Sequence, residues 1–210
     1  MKKSLILFVL AGLVPAVASA QDSLDVNYMN NGDTITASIY DSSPYVNVNA
    51  FVGSFNVTWD AGPVSTDLPL VYCVDLSNTI TLPADYPVTV DFVDDASAWL
   101  ITNEAYPVGG LTYAQDAGLQ LAIWDVTYPG VSFSNVTGEG GPQVDDPTYW
   151  ESVYLAADDY GAKTSFGVEF DHIPGVYGQN LQIAPPPGSV PGPLALVPFA
   201  AGLFLRRRSR

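Results

Sequence analysis

The chain has 210 residues, 22 acidic and 7 basic, is 48% apolar and carries a formal charge of −15. All 22 carboxylates but a single basic residue, Lys163, fall between residues 21 and 189, which leaves that stretch at −21. Such a charge repels phosphate and excludes nucleic acid as a partner, while the apolar content and the 12% aromatic residues exclude a disordered chain.

Residues 1–20 read as a cleavable signal peptide. Lys2 and Lys3 supply the basic start, Leu5–Val14 the apolar run, and Ala18-Ser19-Ala20 a small-x-small cleavage site. Cleavage is expected after Ala20, because the apolar run is short for a membrane span.

A single domain is expected over 21–184. It opens with short runs rich in β-branched and aromatic residues at 24–29, 34–40, 45–51 and 54–59. Asn30-Asn31-Gly32-Asp33, Asp41-Ser42-Ser43-Pro44 and Gly53 punctuate them, which is strand-and-turn chemistry. Residues 68–76 form a further apolar strand, and 87–93 another with alternating Val88, Val90 and Phe92. The period then changes. Asp94 and Asp95 precede Ala96–Ile101 and mark a helix start. Thr112 is a candidate N-cap for a helix from Tyr113 to about Val126, with Tyr113, Ala117, Gln120, Leu121 and Trp124 on its apolar face. Tyr128-Pro129-Gly130 stops it. Pro147 opens a third helix that turns Trp150, Val153, Tyr154 and Ala157 inward. Residues 166–170 and 176–183 return to strand. The expected fold is mainly β with a helical insertion (α+β), a β-sandwich or barrel with about three short helices.

The C-terminal end carries a Pro/Gly-rich linker at 185–193, an apolar run from Leu194 to Leu205, and a basic close at Arg206-Arg207-Arg208-Ser209-Arg210. A helix over the apolar run would cover about 18 Å of a hydrocarbon core about 30 Å thick. This arrangement resembles the PEP-CTERM class of sorting signals, with Pro191-Gly192-Pro193 standing where that class has Pro-Glu-Pro. The resemblance implies a Gram-negative bacterium, an exosortase-like processing enzyme, transient inner-membrane contact through 194–210, and final residence at the cell surface or in the extracellular matrix.

Cys73 is the only cysteine, so an exported chain of this sequence has no internal disulfide. It sits in Val71-Tyr72-Cys73-Val74, and Gly118-Leu119-Gln120-Leu121-Ala122-Ile123-Trp124 follows. Together the two segments resemble the thioester domains of bacterial surface proteins, with Leu119 where those often have threonine. The resemblance implies an internal thioester between Cys73 and Gln120, formed with loss of ammonia and shielded from water by Tyr72 and Trp124. An amine-bearing surface or matrix molecule would attack the acyl carbon. The protein would react once, so it is not an enzyme.

Read without the resemblance, a lone cysteine on an apolar strand is a small buried hydrophobe and a core-facing glutamine bonds backbone groups. The alternative function is then a non-covalent structural protein of an exopolysaccharide or biofilm matrix. His172 is the only histidine, and Asp171 and Pro174 beside it suggest an exposed turn, which leaves a hydrolase without a convincing base. No His/Cys cluster has zinc spacing, and the acidic pairs at 94–95, 145–146 and 158–159 lack the spacing of a calcium loop. No metal or other cofactor is expected.

Overall fold

The β-branched runs of the first third pair into two sheets in a computed structural model that describes residues 22–30, 35–41, 46–61, 64–78, 80–138, 145–156, 163–175 and 178–184. The expected signal peptide with Ala20, the linker with Pro191, Gly192 and Pro193, and the hydrophobic segment at 194–210 lie outside the described residues. So do Ala157 and the Asp158–Asp159 pair.

The strands are β1 (Ser23–Met29), β2 (Thr36–Asp41), β3 (Val46–Phe51), β4 (Phe55–Ala61), β5 (Val64–Cys73), β6 (Ala84–Asp95), β7 (Ser132–Ser134), β8 (Ser165–His172) and β9 (Leu181–Ile183). The helices are α1 (Ala96–Glu104), α2 (Tyr113–Thr127) and α3 (Pro147–Ala156). Six strands close an antiparallel barrel in the order β1-β4-β5-β9-β8-β6, and β3-β2-β7 form a separate three-stranded sheet. The fold is thus mainly β with inserted helices, and the barrel is the form the β structure takes. Closure removes the exposed edges that an open sheet of this length would leave.

Strand alternation puts Leu24 and Val26 of β1 in the core; a register shift between Val26 and Tyr28 then moves the buried position to Met29. β6 is longer than the expected 87–93 because Asp94 and Asp95 still pair with β8. Asp95 ends the strand and caps α1, its carboxylate accepting from Ala98 N at 2.7 Å. The expected strand at 68–76 extends back to Val64 and stops at Cys73.

Thr112 caps α2 as expected, and Gln115 completes a capping box: Gln115 N donates to Thr112 Oγ1 and Thr112 N donates to Gln115 Oε1. Every residue of α2 from Asp116 to Trp124 is buried, as is Ala114. The helix is buried on all sides because it divides two cores. Ala117, Leu121 and Trp124 join the barrel core with Cys73, while Leu119, Ala122 and Ile123 join a second core with Tyr72, Leu100, Ile101 and Tyr154. Tyr113, expected on the apolar face, is 58% exposed because it is the first residue and points beyond both cores. Gly118 is where α3 crosses: a Cβ there would lie 2.6 Å from Trp150 Cβ and 2.7 Å from Pro147 O. Asp146 caps α3, accepting from Thr148 N at 3.0 Å.

Candidate functional site: the seam between α2 and β5

Four residues of α2 and its cap, Asp116, Gln120, Trp124 and Tyr128, recur every fourth position and so share one face. That face lies along the end of β5 and the segment after it. Asp116 accepts two hydrogen bonds, from Tyr72 Oη and from Ser54 N, each at 2.9 Å. One turn on, Gln120 Oε1 accepts from Cys73 N at 2.9 Å while Gln120 Nε2 donates to Cys73 O at 2.8 Å. Two turns further, Tyr128 Oη lies 3.3 Å from both Leu76 N and Val74 O, accepting from the first and donating to the second.

Gln120 bonds Cys73 in this way because of where β4 begins. β4 starts at Phe55, opposite Val71, so beyond that point β5 has no neighbour on that side. On the other side Tyr72 and Cys73 pair with Gln182 and Leu181 of β9. The N–H and C=O of Cys73 face the missing neighbour, and the Gln120 amide replaces one residue of strand. Gly53, at φ +146°, turns the chain just before β4 and delivers Ser54 N to Asp116.

Cys73 is a buried free thiol. Its Sγ donates to Asp75 O at 3.0 Å and receives a long contact from Asp75 N at 3.4 Å. Burial pushes the thiol up to about 12; the Asp75 backbone and the Trp124 indole pull it back towards the thiolate. At neutral pH the sulfur is therefore protonated. The Trp124 indole N–H makes no hydrogen bond among the described residues. The Asp75 carboxylate is occupied elsewhere, accepting from Ser77 N at 2.7 Å and Asn78 Nδ2 at 2.8 Å.

A cavity of about 710 Å³ reaches this seam. Residues of β2 and β3 wall it, together with Met29, Phe55, Ile80 and Leu82, and Cys73, Gln120 and Trp124 all line it. Among the described residues no charged side chain lines it, in a chain that has 22 carboxylates.

Of the four residues singled out from sequence, the fold brings Cys73, Gln120 and Trp124 to one cavity. Tyr72 does not reach it. Strand alternation turns Tyr72 to the other face of β5, into the second core, where burial and then Asp116 raise its phenol well above the ordinary range. Asp116, Ser54 and Tyr128 were not anticipated. For Asp116 and Tyr128 the signal was present as a four-residue spacing with Gln120 and Trp124 along one face of α2; Ser54, just before β4, carried no such mark.

His172 is not in a turn but ends β8, half-buried, with Nδ1 2.7 Å from Asn180 Oδ1 and 3.8 Å from Asp75 Oδ2. Among the described residues no cluster of three His, Cys, Asp or Glu side chains is arranged to hold a metal ion, and no helix is long and apolar enough to cross a membrane. Comparison with protein-family models, with curated proteins and with solved structures finds no match to this chain.

Proposed function

We propose that this is an exported protein that captures amine-bearing partners covalently through an internal Cys73–Gln120 thioester. One observation carries the reading: the side-chain amide of Gln120 is held against the backbone of the very residue whose thiol would attack it. Positioning of this kind can lower a barrier by about 7–11 kcal/mol.

In the bond-forming step, Sγ of Cys73 adds to the Gln120 acyl carbon. Charge grows on Oε1, which already faces the Cys73 N–H at 2.9 Å, the geometry of an oxyanion donor. The C–N bond breaks and the thiol proton leaves on ammonia. A partner amine later adds to the same carbon, the C–S bond breaks, and the amine's proton returns to sulfur. The products are an amide crosslink and a free thiol. The neutral cavity favours an amine that enters unprotonated, which is the nucleophilic form. The one lysine between residues 21 and 189, Lys163, stacks 5.1 Å from the Trp99 ring and does not line the cavity, so its amine does not compete there.

In this proposal the PEP-CTERM-like end directs the chain through an exosortase-like enzyme to the surface or matrix of a Gram-negative bacterium. The partner is an amine-bearing surface or matrix molecule.

The mature protein should weigh one ammonia less than its sequence, and a labelled primary amine should attach at Gln120. Both signals should vanish in Cys73→Ala and Gln120→Ala. Full mass with no labelling would sink the covalent reading. A second reading, a non-covalent matrix protein, draws support from the same bonds: Gln120 satisfies both backbone groups of Cys73, a sufficient structural reason for a buried glutamine. Under that reading Gln120→Ala only weakens the fold.

A further inference from the structure

The Trp124 indole N–H is a buried donor that meets no hydrogen-bond partner at bonding geometry among the described residues. Trp124 is 3% exposed, its N–H has no hydrogen-bond partner among the described residues, and it lines the same cavity as Cys73 and Gln120. Native interiors rarely leave such a donor orphaned without a reason. Packing alone does not require it, since a ring without an N–H would fill space next to Phe133, whose centroid lies 6.4 Å away.

The neighbours on the same helix face fix where the indole sits. One turn before it, Gln120 grips Cys73 N and O; one turn after it, Tyr128 grips Val74 O and Leu76 N. Trp124 therefore lies opposite the stretch from Cys73 to Asp75. The sulfur is the group there that still lacks a strong donor: its own proton goes to Asp75 O, and the return contact from Asp75 N is long. The indole already acts on the thiol in the direction that favours the thiolate.

We propose that the Trp124 N–H is the donor that receives the charge on Cys73 Sγ as it leaves the Gln120 acyl carbon, so that Trp124 sets the rate at which a partner amine is captured. This rests on the thioester reading. The amine nitrogen forms a bond to the acyl carbon. Charge collects on Oε1 against the Cys73 N–H. The C–S bond then breaks with its electron pair going to sulfur, where the indole N–H meets it. The proton released by the attacking nitrogen ends on that sulfur. In a cavity lined by no charged group among the described residues, a single donor to a forming thiolate is a large fraction of the available stabilisation.

The test uses the full mature chain, methylamine as the probe, and two replacements that lack the N–H. Trp124→Phe is the simple variant. Benzothienylalanine at position 124 keeps the bicyclic shape and exchanges the N–H for sulfur, which guards against a packing defect. Opening by methylamine, followed by mass, should slow by about tenfold or more in both, the size expected for one lost hydrogen bond to a charged group. Wild-type speed in the benzothienyl protein overturns the proposal, and so does slowing in Trp124→Phe alone, which would report packing. If the wild type never loses ammonia, the thioester reading fails separately. Trp124 is then judged on the free thiol, through the pH profile of iodoacetamide alkylation. An upward shift without the N–H keeps the indole as thiolate donor, and an unchanged profile overturns it.

Discussion

The two faces of β5 at Tyr72 and Cys73 are adjacent in sequence and opposite in character. Tyr72 enters a closed core, and its hydroxyl ends on a buried carboxylate. Cys73 looks onto a cavity, and its polar backbone ends on a carboxamide. Both partners come from one face of α2, four residues apart. The sealed side fixes where α2 sits on the barrel; the open side then holds the Gln120 amide against the Cys73 backbone, with the thiol on the same cavity. A contact of this kind is held accurately when its neighbour one turn away is fixed.

Removing the anchor is the harshest way to break this arrangement. Asp116→Ala would orphan two buried donors, Ser54 N and Tyr72 Oη. Each such orphan costs about 1–3 kcal/mol, so a loss of about 3 kcal/mol or more is expected in urea unfolding. Under the proposed thioester, ammonia loss at the neighbouring site should fall with it. An Asp116→Ala protein of wild-type stability would show that the sealed face does not hold the helix.

Next in size is Gly118→Ala. The added methyl meets the Pro147 carbonyl and the Glu151 N at 2.7 and 2.9 Å, backbone atoms that cannot rotate away. Overpacking of this kind costs about 1–3 kcal/mol. It should part α2 from α3 on the sealed side and raise the rate of proteolysis within α3, with the cavity side disturbed only through the helix. Unchanged midpoint and unchanged cleavage would mean that α3 gives way freely.

The helix and its cap were legible in the sequence because Thr112 and the turn at Tyr128-Pro129-Gly130 are local signals. The strands were legible for the same reason, as runs of β-branched residues between turn formers. Barrel and sandwich were both open from the sequence, and the choice between them was not legible, because closure depends on β1 meeting both β4 and β6, a long-range pairing without a local mark. Cys73, Gln120 and Trp124 could be singled out together because their two segments resemble thioester-domain motifs, and the fold brings them to one cavity. The direction of Tyr72 was misjudged for a physical reason: a residue next to a cavity-facing one on a strand points the other way. Asp116 was hidden because an acidic residue in a first helical turn already has an explanation in the helix dipole.

The smallest expected effect sharpens the comparison through pH. Glu151 on α3 lies behind α2 on the sealed side, and burial, then Asp125, lifts its carboxyl to about 7 from an ordinary 4.5. A carboxyl whose folded value is raised holds its proton more tightly in the folded protein. It does not penalise the fold below about 4.5, and as pH climbs through about 7 the folded state must accept a buried charge, so stability falls across that window. Glu169 on β8 acts in the same direction, raised to about 7 by burial and then by Asp171. On the cavity side the thiol, held near 12, does not titrate in this range. Glu151→Gln should therefore flatten the decline in unfolding free energy, read from urea titrations between pH 5 and pH 8, by about 1 kcal/mol after allowance for partial exposure, while Cys73→Ala leaves its slope as in the wild type. Parallel curves for Glu151→Gln and wild type would remove pH sensitivity from the sealed face and point to Glu169 and Asp171 across the barrel.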